Sequence, residues 1–124
     1  MTDLMNDAAW VLATASTLSI VYELYRSTVR AGTSQHDTMR GFLVQLPQYA
    51  VATAVVVVLF LGYDWAAWVG LAFSLLVILI SIFVYNPRIM IERQPGLVDW
   101  FEDLVFTGLM FVAATQLIYE IALR

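Results

Sequence analysis

The sequence predicts an all-α integral membrane protein, a four-helix bundle with both termini on the outer side. Three observations carry this reading. Four apolar stretches fill most of the 124 residues. Charged residues make up only 13% of the chain, where a soluble domain carries about 25%. Five of the six arginines fall in just two of the gaps between the apolar stretches.

The spans are taken in order. Ala8–Tyr25 is the shortest and most polar, Phe42–Leu61 the second, Trp65–Tyr85 the third and Leu104–Leu123 the fourth. Each approaches the roughly 20 residues a helix needs to cross a ~30 Å hydrocarbon core. Soluble helices of this composition would have no polar face to turn to water. A membrane barrel would need many short alternating strands, a pattern this chain lacks. The chain forms a single polytopic unit over residues 1–124.

The gaps read as helix punctuation. Gly32 suits a helix C-terminus, and Asp37 or Thr38 can cap the second helix. Gly62-Tyr63-Asp64 reads as a tight turn with Asp64 as N-cap, making the second and third spans an antiparallel hairpin. Asn86-Pro87 is expected to stop the third span, because proline disfavours helix in the residue before it. Pro95-Gly96 is a further break. Beyond it, Asp99, Glu102 and Asp103 sit near the positive end of the last helix dipole.

Orientation follows from the arginines, since cytoplasmic loops carry the excess of positive charge. Arg26, Arg30 and Arg40 occupy the first long connection, and Arg88 and Arg93 the second. Only Arg124 falls on the other side. The bias places both connections inside, and argues against insertion in two opposite orientations. Trp10, Tyr63, Trp65, Trp68 and Tyr119 fit an outer aromatic belt, and Tyr22, Tyr25, Tyr85 and Trp100 an inner one. Acids rather than a cation precede the first span, so it is not expected to be a signal peptide.

Composition excludes several chemistries. Without cysteine there are no disulfides, thiolate nucleophiles or Cys-held metals. The single histidine, His36, cannot make a paired-histidine haem site. No catalytic triad, nucleotide loop or metal cluster is visible, so no enzyme activity and no cofactor are expected. Lysine is absent and the net charge is −4, a balance that suits a halophile or a high-GC genome.

Ionisable and amide groups inside spans are the remaining candidates, because the membrane makes them costly to keep. Glu23 shares a stripe with Ser16 and Ser19. It either walls a polar pathway or pairs with Arg26 or another inner arginine. Gln45 and Gln48 flank Pro47 in the second span, where proline frees the carbonyl of Leu43. Gln116 and Glu120 share a face near the outer end, either as a vestibule or as an interhelical hydrogen bond and an acid beside Arg124. Ala66, Gly70 and Ser74 form a ridge of small residues that can pack inside the bundle or against a second copy. No charge lies near the middle of a span, which argues against a proton or ion relay.

The most charged surface is the inner rim, with Arg26, Arg30, Arg40, Arg88 and Arg93 among Glu23, Asp37, Glu92, Asp99, Glu102 and Asp103. Its acids balance its arginines, so tight nucleic-acid binding is not expected. The expected partners are the lipid bilayer and other membrane proteins or further copies of the chain.

Two function classes follow. One is a structural or accessory membrane protein presenting this rim to partners. The other is a small oligomeric channel or transporter. The layout resembles the small four-span internal membrane proteins of pleomorphic haloarchaeal viruses in length, in its four spans, in its acidic lysine-free composition and in having almost nothing outside the bilayer. That resemblance covers the whole chain and implies a component lining a virion envelope.

Overall fold

The computed structural model describes residues 2–93 and 95–124, with side chains from Leu4 onward. Four helices follow one another: α1 (Thr2–Thr28), α2 (Met39–Leu61), α3 (Asp64–Ile80) and α4 (Leu97–Ala122). A π-helical segment, Ser81–Met90, continues α3 without a gap. With that segment counted as part of α3, all four helices are long and apolar enough to cross a membrane. Among the described residues there is no strand.

The helices outrun the apolar stretches that announce them. α4 begins at Leu97, seven residues before the expected Leu104. Its first turn stays helical because Asp99 Oδ2 accepts the Gly96 N–H at 2.8 Å, filling one of the donors a helix start leaves open. Thr38 caps α2 by accepting the Gly41 N–H at 3.0 Å. Gly62 closes α2 at φ 80°, the left-handed conformation in which glycine has no Cβ penalty.

Two expected boundaries are corrected. Asp64 is the first residue of α3 and not its cap; the N-cap is Tyr63, in extended backbone with no side-chain bond. Asp64 still places an acid in the first turn, where the helix dipole favours it. Asn86-Pro87 does not end the third helix, which runs on to Met90. Proline removes a donor and crowds the carbonyl four residues back. The wider i→i+5 turn carries the chain past that obstacle. Pro47 likewise lies inside a continuous α2.

The bundle closes as a square. α1 packs on α2 and α4, and α3 packs on α2 and α4. Antiparallel neighbours bring Met5 to Arg124 at one end and Tyr22 to Asp99 at the other. The core is built from Ala8, Ala9, Leu12 and Ala15 of α1, Val55 and Leu59 of α2, Ala66, Ala67, Val77 and Ile78 of α3, and Met110, Ala113, Ala114 and Leu117 of α4. The small-residue ridge packs inside: Ala66, Gly70 and Ser74 are all buried. A Cβ on Gly70 would lie 2.9 Å from Leu117 Cδ1 and 3.1 Å from Leu59 Cδ1, so glycine is what lets α3 approach both neighbours. Large aliphatic and aromatic side chains, among them Val44, Leu76, Phe83 and Leu104, point outward instead.

Candidate functional site at the charged end of the bundle

The end of the bundle opposite the chain termini holds most of the charge, and the structure turns much of it inward. Arg26, near the end of α1, and Arg93, in the connection after the π-helical segment, are 0% and 1% exposed. Arg26 grips Asp37 with two bonds, Nε to Oδ1 at 2.9 Å and Nη2 to Oδ2 at 2.6 Å. It also donates to Asp99 Oδ1 at 3.3 Å and to the Arg93 carbonyl at 3.1 Å. Arg93 grips Glu23 with two bonds, at 2.9 and 2.8 Å. Its Nη1 also meets the Tyr85 hydroxyl at 2.9 Å, and its Nε lies 3.2 Å from Asp37 Oδ1. That last approach is an ion-pair distance without hydrogen-bond geometry. Tyr22 donates to Asp99 Oδ1.

This network joins α1, both long connections, the π-helical segment and α4. Two guanidinium groups face three carboxylates, so the cluster carries a net negative charge. Forked arginine–carboxylate bonds are among the strongest in proteins and fix geometry as well as energy. Burying ions in this way also costs desolvation, which is why nearly every donor and acceptor is matched. Burial alone would raise the Asp37 carboxyl. The Arg26 and Ser34 hydrogen bonds and the Arg93 charge more than offset that and hold it below the usual carboxylate range. Burial disfavours the charged form of Arg93, but the paired Glu23 outweighs it and keeps the guanidinium protonated. Outside the cluster, Gln35 and His36 both meet Glu92 Oε2 at 2.6 Å and lower that exposed carboxyl.

Beside the network lies a half-open cavity of about 190 Å³. All four sides of the bundle contribute: Ser19 and Glu23 from α1, Gln45, Gln48 and Tyr49 from α2, Ser81 and Tyr85 from the π-helical segment, and Glu102 and Asp103 from α4. Val77, Ile80, Val84, Ile89 and Phe106 complete the wall. Spacings of four and five residues, from Ile80 through Val84 and Tyr85 to Ile89, place successive side chains of the widened helix on this one face. Ser19 and the Tyr49 hydroxyl share a hydrogen bond of 2.7 Å. Glu102 is 9% exposed, and among the described residues it has no hydrogen-bond or ion-pair partner. No group of three or more His, Cys, Asp or Glu residues among the described ones is arranged to hold a metal ion.

The sequence-based candidates separate accordingly. Of the rim set, Arg26, Arg93, Asp99 and Glu102 are buried, and Asp103 is half-buried against the cavity. Their burial corrects the expectation that all of them face outward. For Arg26, Arg93 and Asp99 the reason is the long-range pairing just described, since a guanidinium met by two carboxylates has no need of solvent; Glu102 and Asp103 turn inward on the cavity wall without an ion pair. Arg30, Arg40 and Arg88 are exposed, and none forms an ion pair among the described residues.

Of the polar-pathway set, Glu23, Gln45 and Gln48 line one cavity. Glu23 takes Arg93 rather than Arg26 as its partner. Gln116 and Glu120 sit at the other end of the bundle, where Glu120 meets Arg124 at 3.5 Å. The Gln116 Oε1 is buried without a partner, so the expected interhelical bond to it is not formed. The apolar core lies between these two polar ends.

Sequence reasoning missed Asp37 as the acid shared by both buried arginines, Tyr22 as a donor to Asp99 and Tyr85 as a partner of Arg93. It offers Asp37 as a cap and as one of several rim acids, and the tyrosines as belt residues. A carboxyl three residues from both Ser34 and Arg40 gives no sequence signal that it will turn inward.

The fold and site therefore define an all-helical bundle of four apolar helices with an internal charge cluster at one end. Comparison with protein families, curated proteins and solved structures finds no match to this chain.

Proposed function

We propose that this chain is a multi-pass membrane protein that acts as a structural or accessory component of a larger membrane assembly, with its charged end on the inner side. Insertion is supported by the outward surface. Only about 28–33% of the residues in each apolar window are buried within the bundle, and many large hydrophobic side chains are exposed, a surface of an extent that water would penalise. The inner placement rests on the arginine bias.

The observation that carries the functional reading is the sorting of charge. Acids are paired inward with Arg26 and Arg93, which leaves Arg30, Arg40 and Arg88 as outward cations from three different segments. Cations at an inner interface attract anionic headgroups and suit an acidic partner surface. The apolar core between the two polar ends favours a component that holds its place over one that passes solutes. A lining protein of a viral envelope is one setting that fits.

Affinity purification from native membranes tests the proposal, together with flux measurements in liposomes. The expected result is a stoichiometric membrane partner whose recovery falls when Arg30, Arg40 and Arg88 are changed to Gln, with no ion or solute flux. Flux that responds to Glu23→Gln or Glu120→Gln would overturn it in favour of an oligomeric channel or transporter.

A further inference from the structure

We infer that the cavity between the four helices is a binding site for a small organic cation, an alkylammonium or arylalkylammonium group, with Glu102 as its counter-ion. The inference goes beyond an accessory role and stands independently of it.

Three features of the cavity point to this ligand class. The first is Glu102, more than nine-tenths buried, lining the cavity and unpartnered among the described residues. A buried carboxylate is costly without a compensating charge or hydrogen bond, and its neighbour Glu23 has both oxygens taken by Arg93. Glu102 is thus a buried acid left without an ion pair after the internal pairs are made. Asp103 stands next to it on the same wall. A cation entering here would meet the missing charge, with acceptors available on Gln45, Gln48 and Ser81.

The second feature is what the site lacks. Its carboxylates are not grouped as metal ligands, which selects against a divalent ion and for a cation that brings its own shape. The third is the apolar part of the wall. Val77, Ile80, Val84, Ile89 and Phe106 suit a short hydrocarbon body, and Tyr49 adds an aromatic ring to the lining, the kind of group that attracts ammonium ions; the Tyr85 ring already carries the Arg93 guanidinium, 5.8 Å from its centroid. A volume of about 190 Å³ lies below the ~300–1,000 Å³ of drug-sized pockets, so the ligand is small. The exposed lining residues Gln48, Ile80 and Val84 place the mouth between α2 and the third helix, the least closely packed pair of neighbours. An ammonium group could arrive there from a free amine or from an amine-bearing lipid headgroup.

The test is calorimetric titration of the purified full chain in maltoside micelles with phenethylammonium. The neutral isostere 2-phenylethanol serves as control. Phenethylammonium is expected to bind at least about tenfold more tightly than the alcohol, the scale of one charge-assisted contact. Glu102→Gln is expected to remove that preference and Glu102→Asp to keep part of it. Phosphatidylethanolamine that displaces the probe, when phosphatidylglycerol does not, assigns the site to a lipid headgroup; failure of both to displace it assigns the site to a free amine. Equal binding of amine and alcohol, or undiminished amine binding by a folded Glu102→Gln, overturns the inference. So does the absence of any amine binding, the result expected if Glu102 merely holds a proton. Should Glu102→Gln fail to fold, the comparison of amine with alcohol on the native chain still decides.

Discussion

The two ends of this bundle solve the same problem in opposite ways. At the charged end, connections of several residues must be held down, and Arg26 and Arg93 do so by pairing with Glu23, Asp37 and Asp99. At the other end, α2 turns directly into α3 through Gly62 and Tyr63, and backbone geometry does the work. Ion pairing there is loose: Glu120 meets Arg124 at 3.5 Å, while its Oε2 and the Gln116 Oε1 stay unmatched. The comparison teaches that charge is buried where chain entropy must be restrained, and kept sparse where a tight turn already restrains it.

The most decisive way to break this comparison is to ask whether the ends lie on opposite sides of a membrane. Single cysteines at Ala31 and Asp64, both exposed, are expected to react with an impermeant maleimide from opposite sides of sealed vesicles. Labelling of both from one side would remove the four-span arrangement altogether.

Next in size is the cost of opening the network. Arg93→Ala leaves the buried Glu23 without its partner and removes one of the two cations beside Asp37. It is expected to destabilise the fold by about 3–5 kcal/mol, the usual result of stranding a buried charge. Denaturant titration in mixed micelles measures this, and a loss below ~1 kcal/mol would mean the pairs are ornamental. Between the ends, Gly70→Val should cost about 1–3 kcal/mol by overpacking, because even its first carbon would press on Leu117 and Leu59.

A pH series sharpens the contrast further. Asp37 is held below its ordinary value, so its contribution is present above the unfolded pKa of about 3.9 and is lost as pH falls through the lower folded value. The native chain should therefore lose stability on acidification more steeply than Asp37→Asn. Parallel acid limbs would remove Asp37 from its proposed place. The smallest effect belongs to the opposite end, where Arg124→Ala is expected to cost about 0–1 kcal/mol. Parity with Arg93→Ala would erase the difference between the ends.

Much of the fold is legible in the residues. Thr38 caps α2 and Gly62 ends it, as their side-chain chemistry predicts. Glu120 stands beside Arg124, four residues on, across the end of α4. Pro87 misleads because proline acts locally as a stop, whereas the packed helix absorbs it by widening its turn. Half of the site is similarly hidden. Arg26 and Arg30 stand four residues apart, which on one helix would put them on one face. α1 ends at Thr28, however, and the chain turns Arg30 outward while Arg26 stays within.

By itself, then, the sequence determined the number of helices, their approximate limits and the end of the bundle at which charge gathers. These depend on the transfer of each residue from water and on contacts within a turn or two, quantities carried by short stretches of chain. Only the tertiary structure decided which arginines are buried, that Glu23 answers to Arg93 across seventy residues, and that Gln45, Gln48 and Glu102 share one cavity. Those outcomes depend on the rotation of each helix about its axis and on the path of the connections, which are settled only when all four helices pack at once.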